Sequence, residues 1–303
     1  MVINIPSNFS SIYEDLVYEF KYDEESDVVI EINDTRTDEV IGVKKFYSTS
    51  TVKLNIAPLI FDSMLPEPQA VTLSGVVDPA LGFPRISLTS GSTTTIDRYF
   101  TYAKSELAGP ALMTTMPQER ILNVGERDAI YTIVPVGVKA TYKVSATAAD
   151  GNQVDLEQEV CSSSDSANIF YLCADQFSSD YNVLRVSFYS GTELQQEINY
   201  TLSREPSNGY RVAWISQSGS IEHYTFPTIL DQTYLSSGAT TKTLRSAYGT
   251  AAEIEALSQI ISSPKVWRDD YTHYTQIEVV TTEHVVRENG ALSVATIKIK
   301  ENG

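Results

Sequence analysis

The histidines His223, His273 and His284 are the first residues to weigh for chemistry, because an imidazole can move a proton or hold a metal near neutral pH. None has a second histidine or a carboxylate at a metal-ligand spacing such as His-x-x-x-His. Their isolation predicts strand or surface positions and no catalytic or metal role. Cys161 and Cys173 form no Cys-x-x-Cys pair, so structural zinc loses its usual warrant. Both are expected to be free thiols on small buried side chains, as in a reducing compartment and a core large enough to do without a staple. The chain also has no Gly-x-Ser-x-Gly elbow and no glycine-rich phosphate loop, the usual signals of hydrolytic nucleophiles and nucleotide sites.

Carboxylates are abundant, and a glycosidase needs only two of them facing each other across a cleft, but nothing in their spacing pairs them. Asp23-Glu24-Glu25 with Asp27 could attract a hard cation, yet the Asp-x-Asp-x-Asp-Gly loop is missing, and a solvated hairpin loop between two strands is expected there. Asp34, Asp38 and Asp150 read as turn formers, because an Asx side chain bonds the backbone amide two residues on. Tyr210, Trp214, Tyr224 and Phe226 could make a stacking platform for a glycan. Trp214 and Phe226 fall in alternating strands, however, so core packing is the more economical role, and Trp267 is expected to cover a helix end. No catalytic, cofactor-binding or metal residue is therefore assigned. With 39 Asp and Glu against 22 Lys and Arg, the formal charge is -17, which disfavours a phosphate backbone as partner, so direct sequence-specific nucleic-acid binding is not expected. No apolar run approaches the ~18 residues of a membrane span, and the amino terminus lacks the basic and apolar regions of a secretory signal, so synthesis in the cytoplasm is expected.

The elements that must position these residues are mainly strands. Apolar residues recur with period two, as in Leu16, Tyr18, Phe20 and in Val52, Leu54, Ile56, and turn signals such as Asp150-Gly151-Asn152 and Ser218-Gly219 separate the runs. The pattern predicts an all-β dominated chain: two tandem antiparallel β-sandwich domains of immunoglobulin or fibronectin type, 1–135 and 136–227, and a small C-terminal α+β module, 228–303. One helix stands out. Thr250 and Glu253 have capping-box spacing, Ile254, Leu257, Ile260 and Ile261 make an apolar face that should dock on a sheet, and Ser262-Ser263-Pro264 ends it. The run Val28 to Asp62 also matches Thr141 to Phe177 in its order of strand, Asp turn, strand, Ser/Thr run, apolar strand, and two further blocks follow in the same order. A duplication with shared strand order, placing Asp34 and Asp150 in equivalent hairpin turns, is the expectation.

Two stretches carry a family resemblance. RVAWISQSGSIEHYTFP, with Trp214, Ile215, Gly219, Glu222, Tyr224, Thr225 and Phe226 in the matching places and Ser216 where an Asn is usual, resembles a phrase of virion structural proteins of tailed phages and prophages of gut Bacteroidales. AAEIEALSQIISSPKVW, Ala251 to Trp267, is similar to the carboxy-terminal helix of the same proteins. The resemblance implies a non-enzymatic subunit of a tail, neck or baseplate, located in the virion. Its partners would be other copies of itself in a ring or symmetric array and other virion proteins, with no cofactor and no membrane. Neither stretch brings a functional residue with it, since both match packing positions. A surface glycan-binding or adhesin β-sandwich protein is the alternative reading, and a hydrolase on a β scaffold the third.

Overall fold

The computed structural model describes residues 2–77, 82–104, 110–135, 137–160, 167–203, 208–281, 285–289 and 292–302. Strand accounts for 60% of the described residues and helix for 8%, so the protein is all-β dominated. Its residues pack into two compact units, Met1–Glu67 with Pro79–Ala108, and Pro68–Asp78 with Gly109–Gly303.

The first unit is built on a long hairpin of strands Val17–Asp34 and Glu39–Asn55. Tyr18, Phe20, Val28, Ile30 and Ile32 are all buried even-numbered positions, so the alternation keeps its phase from one end of the first strand to the other. That phase overturns the loop expected at Asp23-Glu24-Glu25 and Asp27. These residues lie exposed within the strand, where its register with the partner shifts between Lys21 and Val28. The Asp27 carboxylate accepts the amide of Ser48, a residue at φ 48° across the irregularity, at 3.1 Å. At the hairpin tip the Asp34 carboxylate accepts the Arg36 amide at 2.9 Å, and Asp38 sits at φ 55°, as turn formers do. The Ser/Thr run at 48–51 does not separate two strands but continues one, and helix α1 (Ala57–Ser63) follows, with proline in its first turn.

The second unit holds a five-stranded sheet in the order Glu119–Asn123, Glu193–Ser203, Tyr181–Ser190, Ala140–Ala148, Gln153–Val160. A four-stranded sheet runs Gly75–Val77, Ala167–Cys173, Arg127–Ile133, Ala111–Met113. The two sheets share one core, in which Leu112, Leu122, Ile130 and Val134 pack with Tyr142, Phe170, Leu184 and Ile198. A domain division at 135 and 136 falls inside this core. Arg127–Ile133 pairs with Ala167–Cys173, and Glu119–Asn123 runs parallel to Glu193–Ser203, so both pairings cross it. Asp150 closes its hairpin with an Asx turn to Asn152 at 3.0 Å, as Asp34 does to Arg36, but the strand orders around the two turns differ.

An eight-stranded sheet completes this unit. The hairpin Tyr210–Ile215 and Ile221–Phe226 pairs with Val266–Asp269, so a division at 227 and 228 falls within one sheet. Helix α2 (Ala251–Ser262) lies on it as its apolar stripe predicts, with Ile254, Leu257 and Ile260 buried among Trp214, Phe226, Ile297 and Ile299. The Thr250 hydroxyl accepts the Glu253 amide at 3.3 Å and the Glu253 carboxylate takes the Thr250 amide, which completes the capping box. Thr250→Ala should destabilise this unit by about 1 kcal/mol and Thr250→Ser by a few tenths, measured by urea unfolding. No loss in the alanine variant would mean that packing alone fixes the helix start. Trp214 and Phe226 are fully buried, and Trp267 is buried with Lys265 over its ring at 5.6 Å. Cys173 is a buried free thiol; burial pushes its pKa up to about 11 despite the opposing Arg127 charge. Cys161 and His284 lie outside the described residues. Among the described residues, no helix is long and apolar enough to cross a membrane.

Candidate functional site

The polar centre of the second unit begins at three consecutive charged residues, Glu126, Arg127 and Asp128, which open the strand Arg127–Ile133 and are all buried. The turn before them positions the first. Gly125, at φ 82°, takes a conformation that suits glycine, and the Glu126 carboxylate folds back onto the Asn123 amide at 3.0 Å and the Asn123 side chain at 2.8 Å. Strand alternation then sends Arg127 and Asp128 to opposite faces, each toward different partners.

Asp128 faces the layer of the five-stranded sheet. Its Oδ2 accepts Arg120 Nη1 at 2.6 Å and the Tyr200 hydroxyl at 2.8 Å, and its Oδ1 lies 3.4 Å from His223 Nδ1. Burial by itself would raise the pKa of this carboxyl, but Arg120, His223 and Arg211 outweigh it and hold Asp128 well below the usual carboxylate range. Arg120 also donates to the Pro117 carbonyl at 2.9 Å and to Thr114 Oγ1 at 2.6 Å, and Glu222 Oε2 lies 3.8 Å away.

Arg127 and Arg211 meet on the other side, at Asp269. Arg127 Nη2 donates to Asp269 Oδ1 at 3.0 Å and Arg211 Nε to Asp269 Oδ2 at 3.2 Å; the Asp269 side chain is 0% exposed. Arg211 also reaches Glu126 Oε2 at 3.1 Å, Thr225 Oγ1 at 3.0 Å and the Arg127 carbonyl. Arg127 Nε donates to the Tyr274 hydroxyl at 3.0 Å, which stands 3.0 Å from His223 Nε2. Burial and the Asp269 charge push the Tyr274 phenol up, and Arg127 only partly offsets them. Three guanidinium groups (Arg120, Arg127, Arg211) thus interlock with four carboxylates (Glu126, Asp128, Glu222, Asp269), with His223 as the link. Such a network is costly to desolvate and strongly destabilising to break, so it fixes the eight-stranded sheet against the two-sheet core in one arrangement.

A cavity of 310 Å³ opens over the network. Arg120, Asp128 and His223 form its deep end, Tyr224 part of its wall, and Tyr248, 61% exposed, its mouth. Glu253 also lines it, with its carboxyl pKa raised by burial against the pull of the Thr250 amide. Asp128 stays an anion and Arg120 a cation through the neutral range, so the cavity presents fixed, mutually paired charges.

Of the histidines, His223 lies on the strand Ile221–Phe226 as read from the sequence, but it joins this cluster; His273 is exposed and bonds Asp270. Tyr210, Trp214 and Phe226 go to the core, and only Tyr224 of that aromatic group reaches the cavity. Sequence reasoning missed Arg120, the Glu126-Arg127-Asp128 triplet, Arg211 and Asp269. The available signal was charge at inward positions of apolar strands, as in Asp128 before Ile130 and Arg211 between Tyr210 and Val212. No protein family matches the chain, and no curated protein matches it in sequence.

Proposed function

We propose that the chain is a non-enzymatic structural subunit of a tailed-phage or prophage-derived particle, in its tail, neck or baseplate, made in the cytoplasm and carried in the virion. It works through contacts with other copies of itself in a ring or symmetric array and with other virion proteins. The observation that carries this reading is a pair of sheet edges with apolar side chains in solvent. Glu39–Asn55 pairs only with Val17–Asp34 among the described residues, and Val40, Val43 and Tyr47 are exposed along it, Tyr47 by 72%. Among the described residues Thr228–Tyr234 pairs only with Thr240–Arg245, and Leu230 and Tyr234 are exposed, Tyr234 by 77%. Open apolar edges are association surfaces that proteins acting alone usually blunt.

Two further features support the proposal. The stretches that resemble virion proteins are neighbours in space: Ala213 pairs with Trp267, and the Ile215 amide bonds the Ser263 hydroxyl at 3.1 Å. The net charge of -17 suits a wall past which DNA moves without adhering. The finer reading of the fold, immunoglobulin-like sandwiches, belongs to this proposal; the shared core of the two sheets in the second unit supports one such sandwich, built from strands on both sides of 135 and 136. The test is a reconstruction of particles from the native source, with their protein content measured by mass spectrometry. The chain should occur in many copies per particle in a closed symmetric array, each contact burying more than ~1,000 Å². Its absence from purified particles, or turnover of a sugar or ester by the purified chain, would defeat the reading.

A further inference from the structure

The cavity over the charged network is not needed to hold the two layers together, because the ion pairs beneath it already do so. We infer that it is a binding site for a neutral saccharide unit, an inference that goes beyond the assembly role and stands or falls separately from it. A volume of 310 Å³ is at the lower end of ligand pockets, which run from ~300 to ~1,000 Å³, so one or two small rings fit.

Charge selects the class of ligand. Arg120 is bound to Asp128, and Arg211 to Glu126 and Asp269, while Glu119 accepts Asn199 Nδ2 at 2.7 Å. An anion entering the cavity would meet Glu119, Asp128 and Glu253, and a cation would meet Arg120 and Arg211, each desolvated against its own sign. A neutral molecule rich in hydroxyls avoids both penalties, because a hydroxyl donates to carboxylates and accepts from guanidinium. At the deep end Arg120 is held by Pro117, Asp128 and Thr114, with Glu222 Oε2 3.8 Å away, so the cavity presents a paired ion that a hydroxyl can meet without displacing a charge. The Glu253 carboxylate supplies an acceptor on the facing wall. An exposed tyrosine at the mouth, Tyr248, and a second ring along the wall, Tyr224, offer flat apolar faces to the C–H side of a sugar ring. An apolar or proline-type side chain would use the rings but bring no hydroxyl to the charged deep end, which disfavours a protein segment as the occupant.

The test titrates glucose, galactose, mannose and N-acetylglucosamine into the 303-residue chain, followed by saturation-transfer NMR and calorimetry. At least one should bind saturably, with a Kd of roughly 0.1–10 mM. Tyr248→Ala should weaken it about tenfold while the unfolding midpoint is unchanged, since this side chain is largely exposed. Glucuronic acid and glucosamine, sugars that carry a charge, should bind at least ~10-fold more weakly than the neutral sugar. The inference is overturned if none of the neutral sugars saturates, if Tyr248→Ala leaves the affinity unchanged, or if a charged sugar binds as well. Saturable binding of a neutral proline-rich peptide with no sugar binding also overturns it and assigns the cavity to a protein partner. None of these outcomes touches the edge-strand evidence for assembly.

Discussion

Asp269→Ala is expected to destabilise the second unit by about 3–5 kcal/mol, because it strands two buried guanidinium groups at once. The Arg127 and Arg211 side chains are each 4% exposed, so water cannot replace the lost carboxylate without an opening of the interface. Arg211 keeps Glu126, and Arg127 keeps the Tyr274 hydroxyl and the Tyr271 carbonyl, so the fold should survive in weakened form. Both tryptophans of the chain, Trp214 and Trp267, lie in the eight-stranded sheet, so urea unfolding followed by tryptophan fluorescence reports on this unit. Asp269→Asn keeps one acceptor and the shape, and should lose less. A loss below about 1 kcal/mol in the alanine variant would place the pair among solvated ion pairs and remove the case for a rigid charged centre.

Asp128→Asn should cost a similar amount at pH 7, and its effect should depend on pH. The folded-state pKa of Asp128 is depressed by Arg120, His223 and Arg211, which overcome the opposing effect of burial. A depressed carboxyl contributes stability above its unfolded pKa of ~3.9 and loses that contribution as pH falls through the folded value. The difference between parent and variant should therefore be about 3–5 kcal/mol at neutral pH, where the buried pair is intact, and shrink steadily below about pH 4. Urea midpoints at several pH values from neutral to strongly acidic measure it. A difference that stays constant across the series would mean that the Asn variant loses packing and not charge.

Much of the local structure was legible in the sequence. Thr250, Glu253 and the stripe from Ile254 to Ile261 specify helix α2, because a capping box and a 3.6-residue period are short-range signals that need no partner to be read. Asp34 and Asp150 announced their Asx turns for the same reason, through contacts two residues away. The acidic run at Asp23 was misread as a loop, because polar residues at a register break resemble a turn until the phase of Phe20 and Val28 is compared.

By itself, then, the sequence determined the strand-rich class, the single long amphipathic helix, the turns, and the burial of Trp214 and Phe226, all of which follow from periodicity within a few residues. The tertiary structure decided which strands share a sheet, and so put Leu112, Leu122, Ile130 and Val134 into one core with Tyr142, Phe170, Leu184 and Ile198 and joined 210–226 to the carboxy-terminal strands. It also decided the charged centre. Arg127, Arg211 and Asp269 are far apart along the chain, and even Arg120 and Asp128 stand on different strands; a buried ion pair leaves no local pattern, because each charge is tolerated only through a partner that strand packing brings within about 3 Å.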